Sequence, residues 1–512
     1  MVKRGGAAIP AKARLGAEDR EFFAAVGRVS FLNPFSDERE RILGRIHAGH
    51  TGEALRLDPR AYSLITTVDQ RVQRLETKGW TSVAHFSDED RQFIGPVFLY
   101  QVYHRYLLEI DALIQKQLRT KGHAVPVPFA RELLGDLDAR GFGEDECLRY
   151  FAIFYQLRRA FYFILVSLVG DSVSMRQLRR ALWDAVFTHE MHIYDRYLWN
   201  RMEEFSTLLL GETGTGKGSA AAAIGRSGLI PFDRKSGRFA ANFGETFIAI
   251  NLSQFPESLI ESELFGHRKG AFTGAIDAHA GVFERCNAHG ALFLDEIGEV
   301  GVPIQIKLLQ VLQERTFTPL GSHENRRFAG RVIAATNRPL DELRGNGNFR
   351  EDFFYRLCSN VIAMPTLRRR IEESPAELEQ LVNLLVNRTA GEPGPHLTDI
   401  VLGALHRDLP NGYPWPGNVR ELEQAVRRIL LTGHYGGETP VEANAAVEAL
   451  ARDLHDGALD ARTLLARYCA LLYQREGSFE KVARRTGLDR RTVKKYIEST
   501  PARQPGQFGK VA

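Results

Sequence analysis

The chain has 512 residues, 44% of them hydrophobic and 25% charged, with a formal net charge of only +4. That length exceeds one hydrophobic core and implies about two to four globular domains. So small a net charge excludes nucleic-acid binding through overall charge and leaves it to a local basic patch. The cysteines, Cys147, Cys286, Cys358 and Cys469, are scattered without a CxxC pair. This argues against a disulfide framework or zinc finger and fits a reducing cytosol. The longest apolar run, 160–169, is about half of what a spanning helix needs. The basic N-terminus lacks the apolar segment of a signal peptide. A cytoplasmic location without a membrane partner is the expectation.

From about Glu18 to His189 the pattern predicts mostly helix. One helix is expected from Phe98 to Leu118, a second from Asp145 to Val169 and a third from Met175 to Phe187. Clusters of glycine, proline and aspartate around 122–128 and 141–145 separate them. The aromatic stripe Tyr150, Phe151, Phe154, Tyr155, Phe161, Tyr162 and Phe163 reads as core in preference to a ligand pocket. His189-Glu190-Met191-His192 has HExH spacing, not the HExxH of a zinc protease, and lacks further ligands. No phospho-acceptor pattern or nucleotide fingerprint occurs in this third.

A short apolar segment, 205–210, precedes Gly211, Glu212, Thr213, Gly214, Thr215, Gly216 and Lys217, and an alanine-rich helix follows. Strand, glycine-rich loop and helix form the context of a Walker A loop. Its glycines let successive N–H groups turn inward around phosphates, and the helix N-terminus adds positive potential. Lys217 supplies a point charge to the β- and γ-phosphates of ATP. Gly218 stands where many such loops carry Ser or Thr for magnesium, and Ser219 follows. Either Ser219 or a water fills that role, or magnesium is held mainly from elsewhere.

The apolar run 291–294 ends in Asp295 and Glu296, the Walker B pattern. Asp295 is suited to Mg2+ and Glu296 to polarising an attacking water. A second such strand, 331–336, ends in Asn337, which is able to touch water or the γ-phosphate. In FREDFFYRL, Arg350 and Arg356 are guanidinium forks suited to phosphoryl charge, often donated by a neighbouring subunit. Arg420, near the start of a helix after Trp415-Pro416-Gly417-Asn418, is a candidate to reach the nucleotide from a small helical lid. Between these motifs lies Gly270, Ala271, Phe272, Thr273, Gly274 and Ala275. Nothing in it titrates, so it suits presentation on a loop tip better than catalysis.

The order GETGTGK, ESELFGHRKGAFTGA, LFLDEI, KLLQVLQE, RVIAATNRPL, FREDFFYRL and WPGNVREL, over about Leu208 to Leu430, resembles the AAA+ domain of the bacterial enhancer-binding proteins. Those proteins activate sigma-54 RNA polymerase. The resemblance implies a multidomain fold: an α/β AAA+ P-loop ATPase core at 191–365, a helical lid at 366–435, a linker at 436–460 and a C-terminal Fis-like helix-turn-helix at 461–512. A mostly helical region, 1–190, with a sensory or regulatory role would precede them. It further implies that Gly270 to Ala275 contacts sigma-54, with Phe272 and Thr273 at the tip. Asn251 would restrain Glu296, Asn337 would be sensor I, Arg350 and Arg356 the arginine fingers and Arg420 sensor II. ATP and Mg2+ are the implied cofactors, and the assembly a homo-oligomer, from dimer to hexameric ring. Gly218 stands where the family usually has Glu, and the segment 230–243 is longer than the family's usual link.

At the C-terminal end, 461–475 reads as a helix and 479–497 as helix, turn, helix around Gly487-Leu488. Asp489 is a candidate N-cap. Arg490, Arg491, Thr492, Lys494 and Lys495 would project from the second helix toward double-stranded DNA at an upstream site. The expected function is an ATP-hydrolysing activator of sigma-54 transcription. The alternative is a DNA-binding regulator that uses ATP only for assembly.

Overall fold

A computed structural model describes residues 12–46, 59–339, 342, 349–391, 394–437, 450–451, 453–454, 457, 459–476 and 478–498. The chain divides into two compact units, residues 1–398 with 417–423, and residues 399–416 with 424–512.

The first unit begins with eight helices: α1 Ala17–Phe31, α2 Asp37–Ile46, α3 Pro59–Glu76, α4 Asp88–Arg105, α5 Leu107–Arg119, α6 Ala130–Ala139, α7 Glu144–Ser167 and α8 Val173–Phe187. The helix expected over 98–118 is two helices. Tyr106 leaves helical geometry at φ −103° and ψ 15°. Its hydroxyl donates to Asp136 at 2.9 Å and its ring stacks on Phe129. Two tertiary anchors on one side chain outweigh the local propensity, which is a weak prior. Ser87 caps α4 and Ser172 caps α8 through their side-chain oxygens, each worth about 1 kcal/mol.

A parallel five-stranded sheet follows, in the order β4-β5-β8-β1-β9, formed by β1 Thr207–Leu210, β4 Phe247–Asn251, β5 Ala291–Asp295, β8 Arg331–Thr336 and β9 Asn360–Ala363. Two hairpins lie outside it: β2 Phe232–Asp233 with β3 Arg238–Phe239, and β6 Thr316–Phe317 with β7 Arg326–Arg327. Every residue of β8 is buried, which is why this strand reads as a continuous apolar run in place of an alternating one.

The segment 230–243 has a defined place. Its hairpin lays Phe239 on Tyr155 of α7, ring centroids 3.9 Å apart, and Phe232 against Phe151. Phe239 and Phe243 are both buried. The added length is therefore an apolar brace between the sheet domain and the helical region. A second brace is Arg331, buried at the start of β8, which donates to the carbonyls of Phe205 and Ala185. A third is Arg159 of α7, wholly buried, whose two terminal nitrogens donate to the carbonyls of Arg226 and Gly228.

In the second unit, helices Ala461–Glu476, Phe479–Thr486 and Arg490–Glu498 close over Cys469, Leu472, Val482 and Val493. Gly487, at φ 71°, makes the left-handed turn between the last two. Most of the expected linker, 436–460, lies outside the described residues. Among the described residues no helix is long and apolar enough to cross a membrane.

Candidate nucleotide cleft and the projecting loop

The loop from Gly211 to Gly216 joins β1 to the helix Lys217–Gly225. Gly214 and Gly216 have φ of 81° and 94°, a region L side chains rarely adopt. A Cβ at Gly214 would also collide with the Gly417 carbonyl oxygen. Lys217 Nζ donates to the carbonyls of Gly211 at 2.8 Å and Glu212 at 3.3 Å. Burial holds its pKa below the usual lysine value, while Glu296 and Asp295 oppose that shift. A cleft of about 520 Å3 opens above this loop, and Lys217, Ser219, Asn251, Asp295, Glu296 and Arg420 line it. Gly218 is exposed with open space around it, and Ser219 beside it faces solvent. Thr215 is already bonded to the Glu212 carbonyl at 2.8 Å.

Asp295 ends β5, directly beside Asn251 at the end of β4. Its Oδ1 accepts the Glu296 N–H at 3.1 Å. Glu296 is left-handed at φ 55° and ψ 47°, a conformation costing a non-glycine residue about 1–3 kcal/mol. Burial raises its pKa, against the pull of Lys217 and the N–H of Asn337. A carboxyl so tuned is suited to proton transfer to or from water. Asn337 follows the strand β8, and its amide donates to Thr213 Oγ1 at 3.3 Å. Asn251 Oδ1 accepts from the N–H and hydroxyl of Ser253, at 3.0 and 2.7 Å. Among the described residues no group of three or more His, Cys, Asp or Glu converges on one point. The donor set fits a magnesium ion held largely by phosphate oxygens and water, with Asp295 as its protein anchor.

The segment 417–419 is bonded to the loop itself. Val419 N donates to the Gly214 carbonyl at 3.1 Å, and Asn418 Nδ2 reaches the Thr213 carbonyl and Glu212. Arg368 forms a two-pronged pair with Glu212. Arg420 therefore stands beside the phosphate loop.

The cleft has a wall that the motifs do not signal. Ser167, Leu168 and Val169 at the end of α7, with Met175 and Leu178 of α8, face it together with Arg370. Arg370 pairs with Glu377 at 2.7 Å and donates to the Val169 carbonyl at 2.6 Å. Glu377 also accepts the Ser172 N–H, and Glu373 accepts that of Ser174. These contacts lie about two hundred residues apart in sequence, and no local pattern encodes them.

Arg350 and Arg356 stand outside the cleft lining. Arg350 pairs with Asp352 at 2.7 Å, and Arg356 donates to the Leu312 carbonyl and to Glu204. Both are partly exposed at their tips.

The stretch 270–275 closes on itself. Gly270 N donates to the Ala275 carbonyl at 2.8 Å, and Ala275 N to that of Phe272 at 3.0 Å. His267 and His279 exchange backbone hydrogen bonds and form its stem. Gly270 and Gly274 are left-handed, at φ 79° and 103°. Phe272, 38% exposed, rests edge-on to the His267 ring, with centroids 5.0 Å apart. Thr273 and Gly274 are exposed beside it, Ala275 is buried, and Ile276 is 75% exposed. Arg268 ties the base to Glu324 at 2.9 Å.

In the second unit, Asp489 Oδ1 accepts the Arg491 N–H at 2.8 Å, starting the helix Arg490–Glu498. Arg490, Arg491, Lys494 and Lys495 are exposed, whereas Thr492 is half-buried. Arg490 pairs with Glu480 at 2.9 Å.

A parallel sheet of this order, a glycine loop after β1 and an acid pair after β5 define an ATPase-type AAA+ domain carrying a helical N-terminal region. Residues 191–363 match the family described as the Sigma-54 interaction domain. The chain is 42% identical over 228 residues to the sigma54-dependent transcriptional regulator SfnR of Pseudomonas fluorescens (strain Pf0-1), covering 44% of this chain and 57% of SfnR. It is 41% identical over 230 residues to the regulatory protein AtoC of Escherichia coli (strain K12), covering 45% and 46% of the two chains. Against the DNA-binding transcriptional regulator NtrC of Azospirillum brasilense it is 38% identical over 283 residues, covering 55% and 52%. The chain thus spans about half the length of the curated relatives it matches. The crystal structure of NtrX from Brucella abortus in complex with ATP matches at 22% identity and a TM-score of 0.38, covering 72% of this chain and 80% of that one.

Proposed function

We propose that this chain is an ATP-hydrolysing activator that remodels sigma-54 RNA polymerase. The observation that carries the reading is the convergence of Lys217, Asp295, Glu296 and Arg420 on one cleft, in a domain that also projects Phe272 and Thr273. Lys217 and the N–H groups of Gly214 to Gly218 bind the phosphates. Asp295, with water or Ser219, anchors magnesium, which when bound neutralises phosphate charge. Glu296 orients the attacking water and holds its proton. Asn337 spans Thr213 and Glu296 and positions both. Arg420 orders the lid against the nucleotide.

Arg350 and Arg356 act from one subunit of a ring, a hexamer in this reading, on the cleft of the next. Their position outside their own chain's cleft supports that role. Asn251 adjoins Asp295 and relays the phosphate state toward the loop 270–275, which works on sigma-54. Arg490, Arg491, Thr492, Lys494 and Lys495 bind an upstream DNA site, with the helix Arg490–Glu498 in the major groove and two chains acting as a dimer. The site of action is the cytoplasm. Residues 1–190 form the regulatory region, and the α7–α8 wall of the cleft supports direct control of nucleotide binding.

The test is ATP turnover by the purified chain and by Glu296→Gln. Turnover in the wild type that falls at least a hundredfold in the variant, with nucleotide binding kept, supports the motor. Absence of turnover under assembling conditions favours the regulator that uses ATP only for assembly, the reading motivated by Gly218.

A further inference from the structure

We propose that the N-terminal helical region contains a binding site for a small uncharged aromatic compound whose polar edge presents a hydrogen-bond acceptor beside a donor. The site is a cavity of about 480 Å3 walled by α1, α2, α4, α7 and α8, within the size range of small-molecule pockets. Its walls are aromatic. Phe35 stacks on Phe161 with centroids 6.0 Å apart, and meets Trp183 edge-on at 6.1 Å. Tyr103 leans on Phe154 at 5.4 Å. Flat walls of this kind take a planar ring system through stacking and edge contacts.

Two polar groups on α4 set the chemistry. Tyr100 is 6% exposed, and its hydroxyl is shielded from solvent without a hydrogen-bond partner among the described residues. Burial opposes its ionisation, so it remains an O–H. Such a group is costly to leave unpaired, and a ligand acceptor that reaches it recovers the loss. His104 lies one turn on, its ring centroid 3.9 Å from that of Tyr100. Its Nδ1 is 2.8 Å from the Tyr100 carbonyl, which only accepts, so Nδ1 carries the proton. Burial pushes the His104 pKa down to about 4, so the ring is neutral and Nε2 is a lone-pair acceptor. No described residue bonds Nε2. Tyr100 and His104 both line the cavity, and we assign its donor to the Tyr100 hydroxyl and its acceptor to His104 Nε2, a pair that a ring amide or a hydroxyl satisfies.

The wall carries Arg39 and Arg158 with Glu40 and Asp195, two of each sign. Arg158 is held by both oxygens of Asp111, and Asp195 faces Arg149 at 3.7 Å. Burying a carboxylate ligand there would cost its hydration, so a neutral ligand is favoured.

The experiment titrates the full chain with 2-quinolinone, 2-naphthol, naphthalene and 2-naphthoate, reading calorimetric affinity and the shift in melting temperature. It uses no nucleotide or promoter, so it is independent of the motor reading. We expect saturable binding of 2-quinolinone and 2-naphthol, with naphthalene and 2-naphthoate at least tenfold weaker. Tyr100→Phe, which keeps the ring, should weaken 2-quinolinone at least tenfold and leave naphthalene unchanged. Equal binding of naphthalene, tighter binding of 2-naphthoate, an unaffected Tyr100→Phe, or no saturable binding up to about 1 mM overturns the proposal. The ligand series on the wild-type chain decides the matter even where the variant fails to fold.

Discussion

Arg159 donates hydrogen bonds at 2.6 and 2.7 Å to the carbonyls of Arg226 and Gly228, just past the end of the helix Lys217–Gly225. That helix starts at the phosphate loop. Its N-terminus presents bare N–H groups to the cleft, and its C-terminal end meets a buried cation from α7, the arrangement the helix dipole favours. The N-terminal region thus holds the far end of the element that binds phosphate. Arg159→Met should lower stability by about 3–6 kcal/mol, since two charged hydrogen bonds are lost at roughly 1.5–3 kcal/mol each and two carbonyls are left unpaired. It should also weaken ATP affinity. Denaturant unfolding and a nucleotide-binding titration check both, and a variant that loses neither makes the contact incidental.

Arg370 and Glu377 form an ion pair with side chains 5% and 0% exposed. Removing one member strands the other in the interior. Glu377→Gln should therefore destabilise by about 3–5 kcal/mol. The same change loosens the turn after α7, because the carboxylate of Glu377 also accepts the Ser172 N–H and an amide oxygen is the weaker acceptor. Hydrogen exchange at residues 168–174 should accelerate selectively. Uniform protection there would contradict the role of this pair as the latch between the N-terminal region and residues 370–377.

The hairpin at 232–239 predicts its own stability cost. Phe239 is buried on Tyr155. Phe239→Ala should lose about 3–5 kcal/mol, the usual penalty for emptying a buried aromatic site. Thermal unfolding of the full chain checks this, and a change under about 1 kcal/mol would mean that the brace carries little of the docking.

His104 sets a pH dependence. Burial, the largest cause, depresses its pKa from 6.5 to about 4, opposed by its bond to the Tyr100 carbonyl and assisted by Arg39 of α2 and Arg158 of α7. Tyr103 adjoins it on the same helix. A group with a depressed folded pKa binds its proton more readily when unfolded. Its contribution is present in full above pH 6.5 and is lost as pH falls toward 4. The loss amounts to at most about 3 kcal/mol. His104→Gln should flatten this part of the stability profile, and an unchanged profile would place the titration elsewhere.

The sheet strands and the phosphate loop were legible because their signals are local. Buried parallel strands read as apolar runs, and Gly214, Gly216 and Lys217 stand at fixed spacing. Asp295, Glu296 and Asn337 follow as strand ends. Three features were not legible. Tyr106 breaks a helix that the periodicity predicts to continue, because Asp136 and Phe129 hold it from outside. The segment 230–243 shows only as added length, whereas its purpose lies in contacts with Phe151 and Tyr155. The wall of Leu168, Val169 and Arg370 depends on pairing across distant stretches, which no local pattern encodes. The aromatic stripe of α7 is core as its pattern suggests, with Phe151, Phe154, Tyr155 and Phe163 buried, and Phe154 and Phe161 also line the cavity.

The central claim is that the loop 270–275 delivers the work of the cleft to sigma-54. The most direct measurement is open-complex formation at a sigma-54 promoter by Thr273→Ala, alongside its ATP turnover. Thr273 is exposed, and no side-chain bond of it stabilises the loop among the described contacts. Turnover should therefore stay within about twofold of wild type by the rule for exposed substitutions. Open complexes should be lost. Promoter opening at the wild-type level, with turnover equally unchanged, would contradict the account.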